Sequence, residues 1–94
     1  MINLQIITPE KEIINQKDVK FIHVSLSDGN PISIYPSHAP LIAAIKGGNL
    51  IYKDDEESRI ISVSDGFIYV NKNVVKCFVD WAEGIQVEIN NESG

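Results

Sequence analysis

The stretch RIISVSDGFIYVNKNVVKCFV, residues 59–79, contains three apolar runs that are separated by short groups of turn-forming residues. β-Branched and aromatic side chains dominate the runs, which favours strands over helices. The Asp-Gly pair at 65–66 and the Asn-Lys-Asn group at 71–73 lie between the runs, and both are typical of hairpin turns. The stretch therefore predicts three consecutive strands joined by two hairpin turns.

The rest of the chain has the same character. Apolar and polar residues alternate in residues 2–6, and turn-forming groups occur at residues 8–11 and 27–31. We predict further strands at residues 12–16, 18–26, 32–35, 41–45, 49–53 and 85–89. Nine or ten short strands of this kind are typical of an all-β antiparallel sandwich or barrel. We expect a β-sandwich over residues 1–89, followed by a polar tail at 90–94.

Length and charge limit the classes of function. With 94 residues, 44% of them hydrophobic and 22% charged, the chain is expected to fold as one small domain. The net charge of −5 repels phosphate backbones and anionic lipids, so we expect no nucleic-acid partner and no direct insertion into lipid. No apolar run approaches the roughly 20 residues of a membrane span. We therefore expect a soluble protein, and we find no signal-peptide pattern before Ile2.

The sequence offers few residues for catalysis or metal binding. Cys77 is the single cysteine, which excludes an internal disulfide and a multi-thiolate zinc site, and its apolar surroundings predict a buried, inert thiol. The serines lack the Gly-x-Ser-x-Gly pattern of many hydrolases. Gly47-Gly48 is not followed by the lysine and hydroxyl residue of a phosphate-binding loop. We therefore expect no catalytic residue, no metal ligand and no cofactor.

The two histidines do not form a ligand motif. We expect His23 at a polar position on a strand face, and His38 in a turn, with its imidazole bonded to nearby backbone. Trp81 is expected to be a packing anchor, and the acidic residues 54–57 a solvated hairpin tip. Two alternatives remain open: a small β-barrel enzyme or metal-binding protein that uses His23, His38 and Cys77, and a free-standing ligand-binding sandwich.

Four segments occur in a characteristic order. They are LQIITPEKEI (residues 4–13), DVKFIHV (18–24), YPSHAPLIAAIKGGNL (35–50) and VSDGFIYVNKNVVKCFVDWAE (63–83). Together they resemble the N-terminal β-sandwich domain of the epsilon subunit of F-type ATP synthases, called delta in mitochondria. The family pattern has a T-P-E-like entry, a P-x-H-A-P-L loop and a hairpin ending in N-x-V-x-V. Asn30, Pro31 and Ser33 depart from glycines common in the family, and residues 64–66 replace a common Gly-Gly.

The resemblance implies a non-catalytic central-stalk, or rotor, subunit. Such a subunit couples rotation of the c-ring to the gamma subunit during proton- or sodium-driven ATP synthesis. We expect one end of the sandwich to face the c-ring through two turns, comprising Asp28, Gly29, Asn30, Pro31, Ser33, Ser37, His38, Ala39 and Pro40. We expect a second surface, containing Phe67, Tyr69 and Trp81, to face gamma.

Members of this family usually continue into a C-terminal helical hairpin that can inhibit the enzyme and in some members binds ATP. The sequence ends near the point where that hairpin would begin. We therefore expect a sandwich without the hairpin, without autoinhibition and without bound nucleotide. The resemblance also implies a peripheral location on the cytoplasmic face of a bacterial inner membrane, or on the stromal side of a plastid thylakoid.

Overall fold

The computed structural model describes residues 1–88, which form ten strands in two stacked sheets. The strands are β1 (Ile2–Ile7), β2 (Glu12–Val19), β3 (Phe21–Ser25), β4 (Pro31–Ile34), β5 (Leu41–Ile45), β6 (Gly48–Lys53), β7 (Ser58–Val63), β8 (Gly66–Asn71), β9 (Val74–Val79) and β10 (Ala82–Glu88). Sheet A has the order β2-β1-β9-β8-β5, and sheet B has the order β10-β7-β6-β3-β4. The predicted all-β sandwich is confirmed. The predicted Ile89 end of the last strand, and the tail, lie outside the described residues.

Alternation of side chains builds the core. In β1, Ile2, Leu4 and Ile6 are buried while the residues between them face outward. Ile22 of sheet B and Ile68 of sheet A are also fully buried, so both sheets contribute to one core. Burial of each such isoleucine stabilises the fold by about 1.5–3 kcal/mol. This shared core holds the two sheets together.

Sheet A contains a parallel pair at its centre. β1 lies between β2 and β9, and it pairs with β9 in parallel, with Ile6 opposite Cys77. The other strand pairs in the described part of the chain are antiparallel. No local signal indicates this parallel pair, because the two strands come from opposite ends of the chain.

The boundary between the second and third strands differs from the prediction. The sequence predicts strands at 12–16 and 18–26, whereas β2 continues to Val19 and β3 begins at Phe21. The pairing of β1 with β2 shifts between Ile2 and Leu4, and Asp18 in this segment has φ 59°. An aspartate tolerates this left-handed conformation, so a bulge lets β2 continue where the sequence pattern indicates a break.

One of the two predicted hairpin turns is wrong. β7 belongs to sheet B and β8 to sheet A, so at Asp65 the chain crosses between sheets and does not form a hairpin. The other turn is confirmed, because Asn71 pairs with Val74 across Lys72 and Asn73. Both central residues have positive φ, 52° and 63°, as a type I′ turn requires.

The connections lie at two opposite ends of the sandwich. The His38 end consists of residues 20, 35–40, 54–57 and 72–73, and the Thr8 end consists of residues 8–11, 26–30, 46–47, 64–65 and 80–81. In the described part of the chain, no helix has the length and apolarity needed to cross a membrane. The strand bounds place the residues predicted to act in binding on these connections and on outward faces of strands.

Candidate interaction surfaces

The connection from β4 to β5 forms a tight turn that presents His38. The backbone N–H of His38 donates to the carbonyl oxygen of Tyr35 at 3.2 Å, which closes a turn with Pro36 and Ser37 at its centre. Nδ1 of His38 donates to the carbonyl oxygen of Ala39 at 2.7 Å. The prediction that His38 is a turn residue bonded to nearby backbone is confirmed.

The hydrogen bond to Ala39 determines the chemistry of the imidazole. A carbonyl oxygen only accepts, so Nδ1 of His38 carries a proton. Nε2 of the neutral ring is then an acceptor, and it makes no hydrogen bond to any of residues 1–88. This half-buried ring can therefore accept a hydrogen bond from a partner, whereas no described acid or nucleophile completes a catalytic arrangement around it.

The β3–β4 turn is held by its own polar side chains. Oδ1 of Asp28 accepts the backbone N–H of Asn30 at 2.9 Å, and Oδ2 accepts the amide Nδ2 of the same residue at 3.0 Å. Gly29 has φ 90°, a conformation that favours glycine. The turn is exposed and acidic, which suits hydrogen bonding to a polar partner.

The β3–β4 turn and the His38 turn do not share an end of the sandwich, contrary to the prediction of a single c-ring-facing end. Leu26 bridges to Ile45 at the end of β5, whereas Pro40 precedes its beginning. β4 connects the two turns along the edge of sheet B and spans about 13 Å. They therefore lie on one flank of the molecule. Whether this flank contacts a c-ring stays a prediction.

Ser33 lies in the middle of β4, between the two turns. Its Oγ is 2.5 Å from Nδ1 of His23, which faces outward from β3. The ring of Phe21 packs against the same imidazole, with centroids 4.7 Å apart. The prediction that His23 occupies a polar position on a strand face is confirmed, and Ser33 is its partner.

The residues of the metal or enzyme alternative do not come together. His23 is on the outer face of sheet B, His38 is in a turn, and Cys77 points into the core from β9, where it is fully buried. Burial raises the pKa of the Cys77 thiol to about 12, as the expected inert thiol requires. Within residues 1–88, no group of three His, Cys, Asp or Glu side chains could hold a metal ion.

Large apolar side chains are exposed side by side on the outer face of sheet A. Phe67 is 58% exposed, and it lies opposite Phe78, which is 44% exposed. Ile42 is 73% exposed and lies opposite Tyr69. We call Ile7, Ile42, Ala44, Phe67, Tyr69 and Phe78 the apolar face. Neighbouring exposed side chains of this size are unusual for a surface without a partner.

The apolar face continues into an open groove at the Thr8 end. The groove has a volume of about 870 Å³, and Ile7, Phe67 and Phe78 belong to its lining. Asp65 and Asp80 also line it. The groove extends the apolar face towards a rim that carries two carboxylates.

Trp81 lies apart from the strands of the apolar face. It is in the connection from β9 to β10 and is 49% exposed, so the prediction of a packing anchor is not met. Its carbonyl oxygen accepts the backbone N–H of Ser64 at 3.1 Å, and Oγ of Ser64 accepts the backbone N–H of Trp81 at 3.3 Å. The structure therefore brings Phe67 and Tyr69 together and places Trp81 at the Thr8 end.

The sequence analysis missed four residues of the apolar face, and Ile42 and Phe78 are the two that are most exposed among them. Ile42 lies in the run LIAAI, which shows no alternation, and Phe78 lies in a continuous apolar run. Alternation relative to buried Cys77 and Val79 would have indicated the outward direction of Phe78. The pairing of β5 with β8, which joins Ile42 to the patch, has no local signal.

The acidic hairpin tip also differs from the prediction, because Asp54 is only 9% exposed. The backbone N–H groups of Glu57 and Glu56 donate to its Oδ1 at 3.0 and 2.9 Å, and Nε of Arg59 donates to its Oδ2 at 3.0 Å. The bonds from Glu57, Glu56 and Arg59 lower the pKa of Asp54 to about 2. This carboxylate closes the hairpin.

Comparison with known proteins identifies a family with the same β-sandwich architecture. A sequence model of the ATP synthase Delta/Epsilon chain β-sandwich domain matches residues 1–85. The chain belongs to this family. It is also 34% identical over 82 residues to the ATP synthase epsilon chains of Staphylococcus aureus strains JH9 and Newman, covering 87% of this chain and 60% of each relative. The chain thus spans less than two thirds of the length of those relatives.

Solved structures share the fold of this chain. One is a chain of the Euglena gracilis mitochondrial ATP synthase, from an assembly of OSCP, F1 and c-ring, with a TM-score of 0.80 and 22% identity over 98% of this chain and 57% of that one. Another comes from the central stalk and c-ring of the Tetrahymena thermophila mitochondrial ATP synthase, with a TM-score of 0.73 and 16% identity over 87% of this chain and 65% of that one. At these identities the likeness concerns the fold.

Proposed function

We propose that the chain is a non-catalytic central-stalk subunit that couples rotation of the c-ring to gamma during proton- or sodium-driven ATP synthesis. Family membership supports the assignment of the chain to an ATP synthase, and the two structural neighbours come from ATP synthase assemblies that include a c-ring. The observation that carries the proposal is the apolar face, since a molecule that transmits torque needs a firm contact on its surface. Ile42, Phe67 and Phe78 provide that contact.

The gamma-facing surface is the apolar face of sheet A. It contains Phe67 and Tyr69 from the sequence prediction, together with Ile42 and Phe78. A stable contact of this kind buries on the order of 800 Å² on each partner. Trp81 joins it only if gamma extends over the groove to the Thr8 end. The polar c-ring-facing surface is the flank from Asp28 to Pro40.

The architecture suits transmission of torque. Within residues 1–88, the chain crosses between sheets at β2–β3, β4–β5, β5–β6, β7–β8 and β9–β10. These crossings and the shared core resist sliding of one sheet over the other, because packed cores have few voids. The bacterial relatives favour a peripheral location on the cytoplasmic face of a bacterial inner membrane over a plastid one.

The double substitution Ile42→Ser and Phe67→Ser tests the gamma-facing surface in the complete subunit. Loss of two exposed apolar anchors should raise the Kd for gamma by about tenfold or more. Isothermal titration calorimetry measures this Kd. Both side chains are exposed, so the melting temperature should stay within a few degrees of the original value.

Ile85→Ser is the matched control, since Ile85 is 47% exposed and lies on β10 of sheet B. It should leave gamma binding unchanged. Equal binding by the double variant and the control would contradict the assignment of the apolar face. Weaker binding by both would indicate a general effect of lost apolar surface and would also contradict it.

His38→Ala tests the flank. The imidazole should contribute a hydrogen bond to the c-ring, so its removal should weaken assembly or coupling by about fivefold without preventing folding. ATP-driven ion pumping by reassembled ATP synthase measures coupling, and circular dichroism checks folding. An unfolded variant would show that His38 acts in the core, and normal coupling would remove His38 from the interface.

A further inference from the structure

Asn73 joins three distant segments of the chain at the His38 end. Its Oδ1 accepts the backbone N–H of Ser37 at 2.6 Å, although the two residues are 36 positions apart. Its backbone carbonyl oxygen accepts the N–H of Asn3 at 2.9 Å. Asn73 therefore ties the β8–β9 turn both to the beginning of β1 and to the turn that carries His38.

The His38 turn needs such support because its backbone is strained. Pro36 occupies the second position of the turn and Ser37 the third, and Ser37 has φ 68°. This is the pattern of a type II turn, whose third position normally holds glycine. A serine there brings its Cβ close to backbone oxygen, which disfavours the conformation. The bond from Ser37 N–H to Asn73 opposes that tendency.

Few residue types could replace Asn73. It is the second central residue of the type I′ turn and has φ 63°, a conformation that glycine, asparagine and aspartate tolerate best. Of these, asparagine and aspartate also carry a side-chain oxygen that can accept the N–H of Ser37. The local turn and the contact to Ser37 therefore impose two separate requirements on one position.

We propose that Asn73 is a positioning residue, which holds the strained His38 turn in the conformation that docks on the partner. The proposal rests on the proposed function, because it takes the flank with His38 to be a docking surface. Asn73 itself need not touch the partner. It acts through Ser37, whose N–H it binds, and so fixes the backbone that carries the imidazole.

Three substitutions in the complete subunit separate the turn conformation at Asn73 from its hydrogen bond to Ser37. Asn73→Gly keeps the turn conformation and removes the acceptor, whereas Asn73→Asp keeps both. Ser37→Gly removes the strain that Asn73 offsets. Lys72→Gly is the matched control, because Lys72 lies in the same turn with φ 52° and its side chain is exposed.

Amide hydrogen exchange measured by NMR reports on the turn itself. Exchange at Ser37 should become roughly five- to tenfold faster in Asn73→Gly, since one hydrogen bond that opposes opening is lost. Asn73→Asp and Lys72→Gly should stay within about twofold of the original rate, a spread smaller than the loss of one hydrogen bond. Unchanged exchange in Asn73→Gly, or equally fast exchange in Asn73→Asp, would overturn the proposal whatever the function of the flank.

Reassembly with gamma and the c-ring reports on docking. Asn73→Gly should weaken assembly by about fivefold, Asn73→Asp should not, and adding Ser37→Gly to Asn73→Gly should restore most of the loss. Normal assembly despite fast exchange at Ser37, or no rescue by Ser37→Gly, would overturn the proposal. In that case His38→Ala separates the positioning role of Asn73 from the docking role of the flank. If His38→Ala weakens assembly, the flank still docks and only the role of Asn73 is wrong. If it does not, both proposals are wrong.

Discussion

At the scale of single residues, Asp54 shows how a short acidic run can contain one structural carboxylate. The run at 54–57 is polar throughout, but only the side chain of Asp54 turns back to accept the backbone N–H groups of Glu57 and Glu56. Arg59 completes the site at 3.0 Å. Local sequence predicts the hairpin tip, but it does not show which carboxylate the tip encloses.

The lowered pKa of Asp54 makes a pH-dependent contribution to stability. The folded value of about 2 is below the ordinary value of 3.8, so the contribution is present above about pH 4 and is lost as the pH falls through 2. Asp54→Asn should therefore lower the free energy of unfolding by about 2 kcal/mol at pH 7. Near pH 2 the difference should largely disappear. Urea unfolding at both pH values measures it.

Asp55→Asn is the control for this prediction. Asp55 lies 3.8 Å from Nζ of Lys20, and both side chains are well exposed. Such a pair contributes less than about 1 kcal/mol, so the control should have little effect at either pH. The same loss for Asp54→Asn at pH 7 and pH 2 would show that its charge does not stabilise the hairpin.

At the scale of strands, Gly66 explains why an Asp-Gly pair does not mark a hairpin here. Gly66 begins β8 and pairs with Val79, and a Cβ at this position would collide with the carbonyl oxygen of Phe78 on the neighbouring strand. The glycine is thus required by the close approach of two backbones and not by a tight turn. Oδ1 of Asp65 accepts the N–H of Gly47 at 2.5 Å, which fixes the crossing between sheets.

Gly66→Ala should destabilise the domain by about 3 kcal/mol or more, because backbone atoms of β9 cannot move aside without breaking the ladder. Gly29→Ala provides the comparison, since Gly29 has φ 90° and open space around its Cβ position. That change should cost only about 1–2 kcal/mol of backbone strain. Chemical denaturation measures both, and a smaller loss for Gly66→Ala than for Gly29→Ala would rule out the proposed clash.

At the scale of the whole molecule, the two sheets should unfold together. They share one core, and the chain passes between them repeatedly. Trp81 is the single tryptophan, and it lies in the connection between β9 of sheet A and β10 of sheet B. Its fluorescence therefore reports on the junction of the sheets, whereas far-UV circular dichroism reports on all strands.

The unfolding transitions by these two probes should coincide, as expected for a two-state domain of this size. The proposed function depends on this property, because a body whose sheets separate would not transmit torque from the c-ring to gamma. Two transitions with clearly different midpoints would mean that the sheets unfold separately. In the Gly66→Ala variant, the unfolding transitions measured by Trp81 fluorescence and by circular dichroism should also coincide.

The sequence alone predicted most of the strands, the sandwich, a hairpin turn at residues 71–73 and the burial of Cys77. These follow from alternation and turn chemistry, which act over a few residues. The folded structure was needed to show that Asp65 lies at a crossing, that the two turns lie along a flank, and that Asn73 supports Ser37. These neighbours depend on pairing between strands that are far apart in the sequence, and the alternation within one strand does not specify which strand lies beside it.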